Sequence, residues 1–161
     1  MDTSRILHEG HAPTPFTAEQ IRTHCPDGLR VTLAVESPEG TTFHTDTFRD
    51  GDREGVTLES CPSDAQGTPT GPARTTRVTW LDLQEHASFP AEQTAVGEET
   101  ITGPLGILPC LRYDVRLAAG PVTFWFAVGH PGMPVRFEGQ GSVTEMVDRV
   151  LLPEASAAPP E

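Results

Sequence analysis

The chain contains no lysine, no asparagine and a single tyrosine, and all eleven of its basic residues are arginine. Lysine and asparagine use AT-rich codons, so their joint absence predicts a GC-rich, actinobacterium-like source. No apolar run approaches the ~18 residues a membrane helix needs, which excludes an integral helical span. The opening stretch MDTSRILHEGHAPTP has neither a basic start nor an apolar core, so it does not read as a secretory signal, and a cytoplasmic location is expected. Basic charge is scarce: 23 acidic residues leave a net charge of -12. That excludes nucleic acid and anionic lipid as partners, since both require a basic surface, and leaves a basic protein partner open. Of the three cysteines, Cys25, Cys61 and Cys110, none forms a C-x-x-C pair, and an odd number cannot all pair within the chain. Three reduced thiols are expected, with Cys61–Cys110 the pairing to check. Nucleophile-elbow, phosphate-loop and dinucleotide motifs are missing, so the sequence implies no cofactor.

What is present suits one globular domain. There are 161 residues, 36% of them hydrophobic, at a mean hydropathy of -0.30. Residues 1–14 are polar and aperiodic and read as a flexible arm, residues 15–152 as the domain, and 153–161, Pro- and Ala-rich, as a disordered tail. In PFTAEQI, Thr17 is an N-cap, Gln20 completes a capping box, and Phe16 and Ile21 occupy the staple positions, so a short helix should run to about His24. Leu29, Val31, Leu33 and Val35 then alternate with polar residues, a half-buried strand. TTFHTDTFRD and GVTLESC continue a meander. Residues 62–75, rich in Pro, Gly and Thr, read as a long surface loop. Thr79 with Asp82 predicts a second helix within 80–88. Strands return from Thr94, and SVTEMVDRVLL reads as a closing helix: Ser142 caps, and Val143, Met146, Val147, Val150 and Leu151 form an apolar stripe. The expected fold is α+β, mainly β: one antiparallel, strongly curved meander of about eight strands, a half-barrel, packed on two or three short helices.

The stretch FWFAVGHPGMPVRFEG offers two apolar runs around a knot of Gly, His and Pro. Phe124 and Phe126 lie on one face of a strand and Trp125 on the other, which predicts a central strand covered on both sides. Gly129, Pro131, Gly132 and Pro134 each have a backbone reason to sit in a turn, so the knot reads as a hairpin turn and not as a catalytic loop built on His130.

The segments EETITGPLGILPCLRYDV and VTFWFAVGHPGMPVRFE, within about residues 97–138, resemble the curved-sheet domains of bacterial lipoprotein carriers. In those a Pro-Gly turn, an aromatic strand and a second Pro-Gly turn follow in the same order. The resemblance implies a half-barrel wrapped around helices, with an apolar concave face suited to a lipid-like ligand. It carries over no catalytic residue.

Candidate chemistry elsewhere is thin. His8 and His11 flank Glu9 as a metal pair lacking a third ligand, so no metal site is expected. His44 with Asp46, and Asp82 with His86, read as solvated surface pairs. The large amphipathic rings Trp80, Tyr113 and Trp125 are the candidate binding residues, as walls of an apolar pocket if the sheet encloses one. The functional expectation is a non-enzymatic module for an apolar small molecule or a partner protein. The alternative is a small barrel-type cyclase, isomerase or hydrolase of actinobacterial secondary metabolism.

Overall fold

The structure, a computed structural model, describes residues 4–153. It contains helix α1 (Ala18–His24), strands β1 (Leu29–Ser37), β2 (Gly40–Arg49), β3 (Gly55–Ser63) and β4 (Arg74–Thr79), helix α2 (Trp80–Glu85), and a 3-10 turn (Ala91–Gln93). Strands β5 (Thr94–Gly103), β6 (Gly106–Leu117), β7 (Gly120–Ala127), β8 (Arg136–Gly139) and β9 (Ser142–Leu151) follow. All nine strands belong to one antiparallel sheet in the order β4-β3-β2-β1-β9-β8-β7-β6-β5, with β4 and β5 as its free edges. The protein is mainly β, with two short helices among the described residues.

Both helices start as their sequences require. The Thr17 hydroxyl accepts from the Gln20 amide while the Gln20 side chain accepts from the Thr17 amide, and Thr79 and Asp82 repeat the arrangement. Phe16 and Ile21, the staple pair, are both buried in the main core. Two meanders, β1–β4 and β5–β8, are joined by β9, which pairs with β1 on one side and β8 on the other.

That last strand corrects the expected helix over 142–152. Three of its ten residues are valine, a β-branched residue that packs well on a pleated surface. The misleading feature is a β-bulge: Thr32 faces Asp148 and Leu33 faces Met146, so Val147 is an extra residue without a partner. A bulge breaks the period of two and reverses the facing of every residue beyond it. The apolar positions 143, 146, 147 and 150 therefore mimic helical spacing. The correction adds the ninth strand and removes the third helix.

Residues 4–14, expected as a flexible arm, lie against the domain. The Thr14 side chain is fully buried, and the Ala12 and Thr14 amides donate to the Phe89 and Arg5 carbonyls at 2.8 and 2.7 Å. Gln84 on α2 ties the segment down: its amide nitrogen donates to Ser4 O and Thr14 Oγ1, and its oxygen accepts from the Ala18 amide. The expected disordered tail lies outside the described residues beyond Pro153.

The loop after β3 is also ordered. Asp64 Oδ1 accepts from the Gln66 and Thr68 amides, and the Thr70 amide donates to Pro62 O, folding residues 64–71 back over the sheet. At the start of β3, Gly55 is required by close approach: a Cβ there would lie 2.3 Å from Val78 O across the pair. Cys25, Cys61 and Cys110 are all free and buried. Cys61 sits on β3 and Cys110 on β6, next to opposite edges of the sheet, so they do not pair.

Candidate functional site

Alternation in β7 sends Phe124 and Phe126 to the face covered by α1 and α2, and pairing carries Phe137 on β8 to the same face opposite Phe124. Together with Phe16 before α1 and Phe48 on β2, they wall a cavity of about 310 Å³ between the helices and the sheet. Five of the seven phenylalanines thus line one space. Ile21, Leu58, Leu83, Ala87 and Met133 complete most of the apolar wall. The rings are mutually braced. Phe124 stacks on Phe126 at 6.1 Å and on Phe89 at 5.3 Å, and Phe126 meets Tyr113 and Phe16 edge-on at 5.4 and 6.4 Å. Such offset and edge-on pairs add about 0.5–1.5 kcal/mol each beyond their buried area, so the wall is preorganised. Two polar side chains touch it. Gln84 is committed to the hydrogen bonds above, which leaves His86 as the titratable group on the wall.

None of the three rings expected as pocket walls lines this cavity. Trp80 is buried under the β2–β3 turn, its indole nitrogen donating to Asp52 O at 2.8 Å. Tyr113 is fully buried behind Phe126, and its hydroxyl donates to Pro13 O at 2.6 Å. Trp125 lies on the opposite face of the sheet. There its indole donates to Glu99 Oε1, and the Arg112 and Arg136 guanidinium groups lie over its ring at 5.4 and 5.6 Å. The strand carrying it is interior, paired with β6 and β8 as expected. The cavity rings missed in the sequence carried a legible signal: Phe124, Phe126 and Phe137 sit at alternate positions of adjacent strands.

The Gly–His–Pro knot is a turn with a packing role. Gly132 has φ +145°, and a Cβ there would meet Cys25 Sγ at 3.2 Å. The buried Cys25 thiol has its pKa pushed up to about 12 by desolvation, so it stays protonated at neutral pH. His130 is half-buried, its amide bonded to Ala127 O. Burial, and then the nearby Arg149 charge, lower its pKa below the ordinary imidazole value. The folded state therefore binds a proton less readily than the unfolded chain. The stability this contributes is present above the unfolded value near ~6.5 and is lost as pH falls through the folded value. The melting temperature of wild type should fall more steeply than that of His130→Gln between about pH 7 and 5, with the two converging near neutrality. Parallel curves would show that His130 contributes nothing to the acid limb.

The remaining candidate pairs are structural. His8 Nε2 meets Glu85 at 2.6 Å and His11 Nδ1 meets Ser88 Oγ at 2.8 Å, which fixes the N-terminal segment on the end of α2 and the turn after it. Among the described residues no group of three His, Cys, Asp or Glu is placed to hold a metal. His44 and Asp46 stand 4.0 Å apart, beyond hydrogen-bond reach, with Asp46 accepting from Ser60. Asp82 completes the capping box of α2, and the Thr79 amide donating to its carboxylate, with the Thr79 side chain next, lowers its pKa. No helix in the described residues is long and apolar enough to cross a membrane.

No protein-family model, no curated protein and no solved structure matches this chain.

Proposed function

We propose that the protein is a non-enzymatic binding module that holds an apolar small molecule in the phenylalanine-lined cavity. The observation that carries this reading is the cavity itself. At about 310 Å³ it falls at the small end of ligand pockets, which run roughly 300–1,000 Å³ and are mostly apolar. Its rings are held by one another, so they do not collapse inward to fill it.

We place this cavity in a curled, half-barrel sheet of the lipoprotein-carrier kind. Two features support the curl. Edge strands β4 and β5 are joined by residues 80–93. A flat nine-stranded sheet would hold its edges roughly 38 Å apart, whereas a helical turn followed by a short extended run reaches only about 30 Å. Val56 on β3 and Tyr113 on β6, near opposite edges, also share one core cluster through the helices. The wall supplies shape and dispersion with little polar chemistry, which suits a small hydrocarbon-like or aromatic ligand better than a charged one.

Naphthalene and 1-decanol, titrated separately, are the direct test. At least one should bind saturably at one site per chain and raise the melting temperature by mass action. Ala87→Leu, which adds side-chain volume at the wall, should weaken that binding while the protein remains folded by circular dichroism. Absence of saturable binding by either probe, or binding indifferent to Ala87→Leu, would remove the cavity from consideration.

A further inference from the structure

The sheet's other face carries a second and chemically opposite cavity. It measures about 280 Å³ and lies where the 64–73 loop folds over β1, β2 and β3. Pairing puts Arg30, Thr47 and Glu59 in one cross-strand row and Thr32, Thr45 and Cys61 in the next, all on this face. Arg30, Thr45, Thr47, Arg49, Glu59 and Gly67 line the space.

Its donors are unused. The Arg30 side chain makes no hydrogen bond and no ion pair among the described residues, and its Nε is buried without a partner. Beside it, Thr32 is 1% exposed and its hydroxyl is likewise buried and unpartnered. The Thr45 and Thr47 hydroxyls bond to nothing among the described residues. Gly67 shows how close the roof comes: a Cβ there would lie 3.0 Å from the Arg30 guanidinium and 3.3 Å from Thr32 Oγ1. Glu59 is the carboxylate in the wall, and Arg49 neutralises it through a 2.8 Å pair. Asp148, across from Thr32 on β9, forms no ion pair. The lining itself holds two arginines and one carboxylate, with the unpaired Asp148 on the same face outside the lining.

Buried polar groups in folded proteins are almost always satisfied, and an unpartnered guanidinium is among the costliest to leave alone. A carboxylate or a phosphate group accepts from a guanidinium through two parallel bonds. We propose that this cavity is a binding site for a small oxyanion, a carboxylate or phosphate group, received by Arg30 and the Thr45 and Thr47 hydroxyls under the 64–73 loop. The site is separate from the apolar cavity and does not depend on it.

Inorganic phosphate and acetate are the probes, titrated separately at constant ionic strength against chloride. The readouts are the arginine Nε–Hε resonances, eleven in all, and the melting temperature. The Arg30 resonance should shift saturably with at least one anion, with a parallel rise in melting temperature. Response to phosphate alone identifies a phosphate group as the ligand, and response to acetate a carboxylate. Arg30→Gln should weaken binding on the order of tenfold or more, and Thr47→Val should weaken it less, as expected for losing a charged and a neutral partner. If Arg30→Gln fails to fold, the wild-type resonance and Thr47→Val still decide the question. An Arg30 resonance that follows neither anion, or moves only in step with every other arginine, overturns the proposal.

Discussion

Met146→Asp should leave the protein unfolded at room temperature. Met146 is 3% exposed on β9, directly opposite Leu33, and belongs to the cluster formed with Val31, Leu33 and Val135. Its amide donates to Val135 O at 2.8 Å, so its backbone cannot turn the side chain outward without breaking the pairing with the start of β8. Placing a carboxylate there costs several kcal/mol of desolvation, and the Arg149 guanidinium nearby is already engaged with His24 O. The whole domain has only about 5–15 kcal/mol of stability. Position matters as much as chemistry: β9 is the fifth of nine strands and the one that joins the two meanders. Loss of its packing separates β1–β4 from β5–β8. Met146→Leu, close in volume, should cost less than about 1.5 kcal/mol. Val143→Thr, a partly exposed position three residues earlier, should change little, because threonine suits a strand. Were 142–152 the helix its spacing suggests, Val143 and Met146 would share a buried face and both changes would be costly. Urea denaturation of the three variants distinguishes the two outcomes.

That contrast marks where the sequence was legible. Features encoded by a few neighbouring residues could be read directly. The Thr17–Gln20 and Thr79–Asp82 boxes announced both helices, and the alternation from Leu29 to Val35 announced β1. The meander followed from short turns between such strands. Beyond these the period failed. In β9 one unpaired residue, Val147, turned an alternating pattern into a helical one, and nothing local reveals a bulge whose cause is the partner strand. The order of the sheet was equally hidden, since the pairing of β1 with β9 joins segments more than a hundred residues apart.

The cavity wall follows a different rule, set by the polar tips of the larger rings. Trp80, Tyr113 and Trp125 each combine a large ring with a polar tip. The tip is what removes them from the cavity. Each buried N–H or O–H must meet an acceptor, and these are the Asp52 carbonyl, the Pro13 carbonyl and the Glu99 carboxylate, none of them on the cavity wall. Phenylalanine carries no such demand and can border an apolar space on its own. The rings that border the cavity are the ones that lack a polar group.

Phe126→Ala should be the most informative cavity variant, because its effects on stability and on binding run in opposite directions. Phe126 is 3% exposed and touches Tyr113, Phe16 and Phe124, so it joins the main core to the cavity wall. Truncating it removes the ring's transfer free energy and leaves a void, a combined loss of about 3–5 kcal/mol. The void is continuous with the existing cavity, since Phe126 already lines it. Apolar voids of this kind remain dry and accept aromatic guests. Benzene should therefore raise the melting temperature of Phe126→Ala by more than it raises that of wild type, and the gain should saturate. The surface change Leu151→Ala, at a residue 64% exposed, controls for nonspecific effects and should show neither the loss nor the rescue. Equal responses to benzene in wild type and Phe126→Ala would mean that the wall collapses when the ring is removed. In that case the bracing among the phenylalanines, and with it the preorganised pocket, would have to be given up.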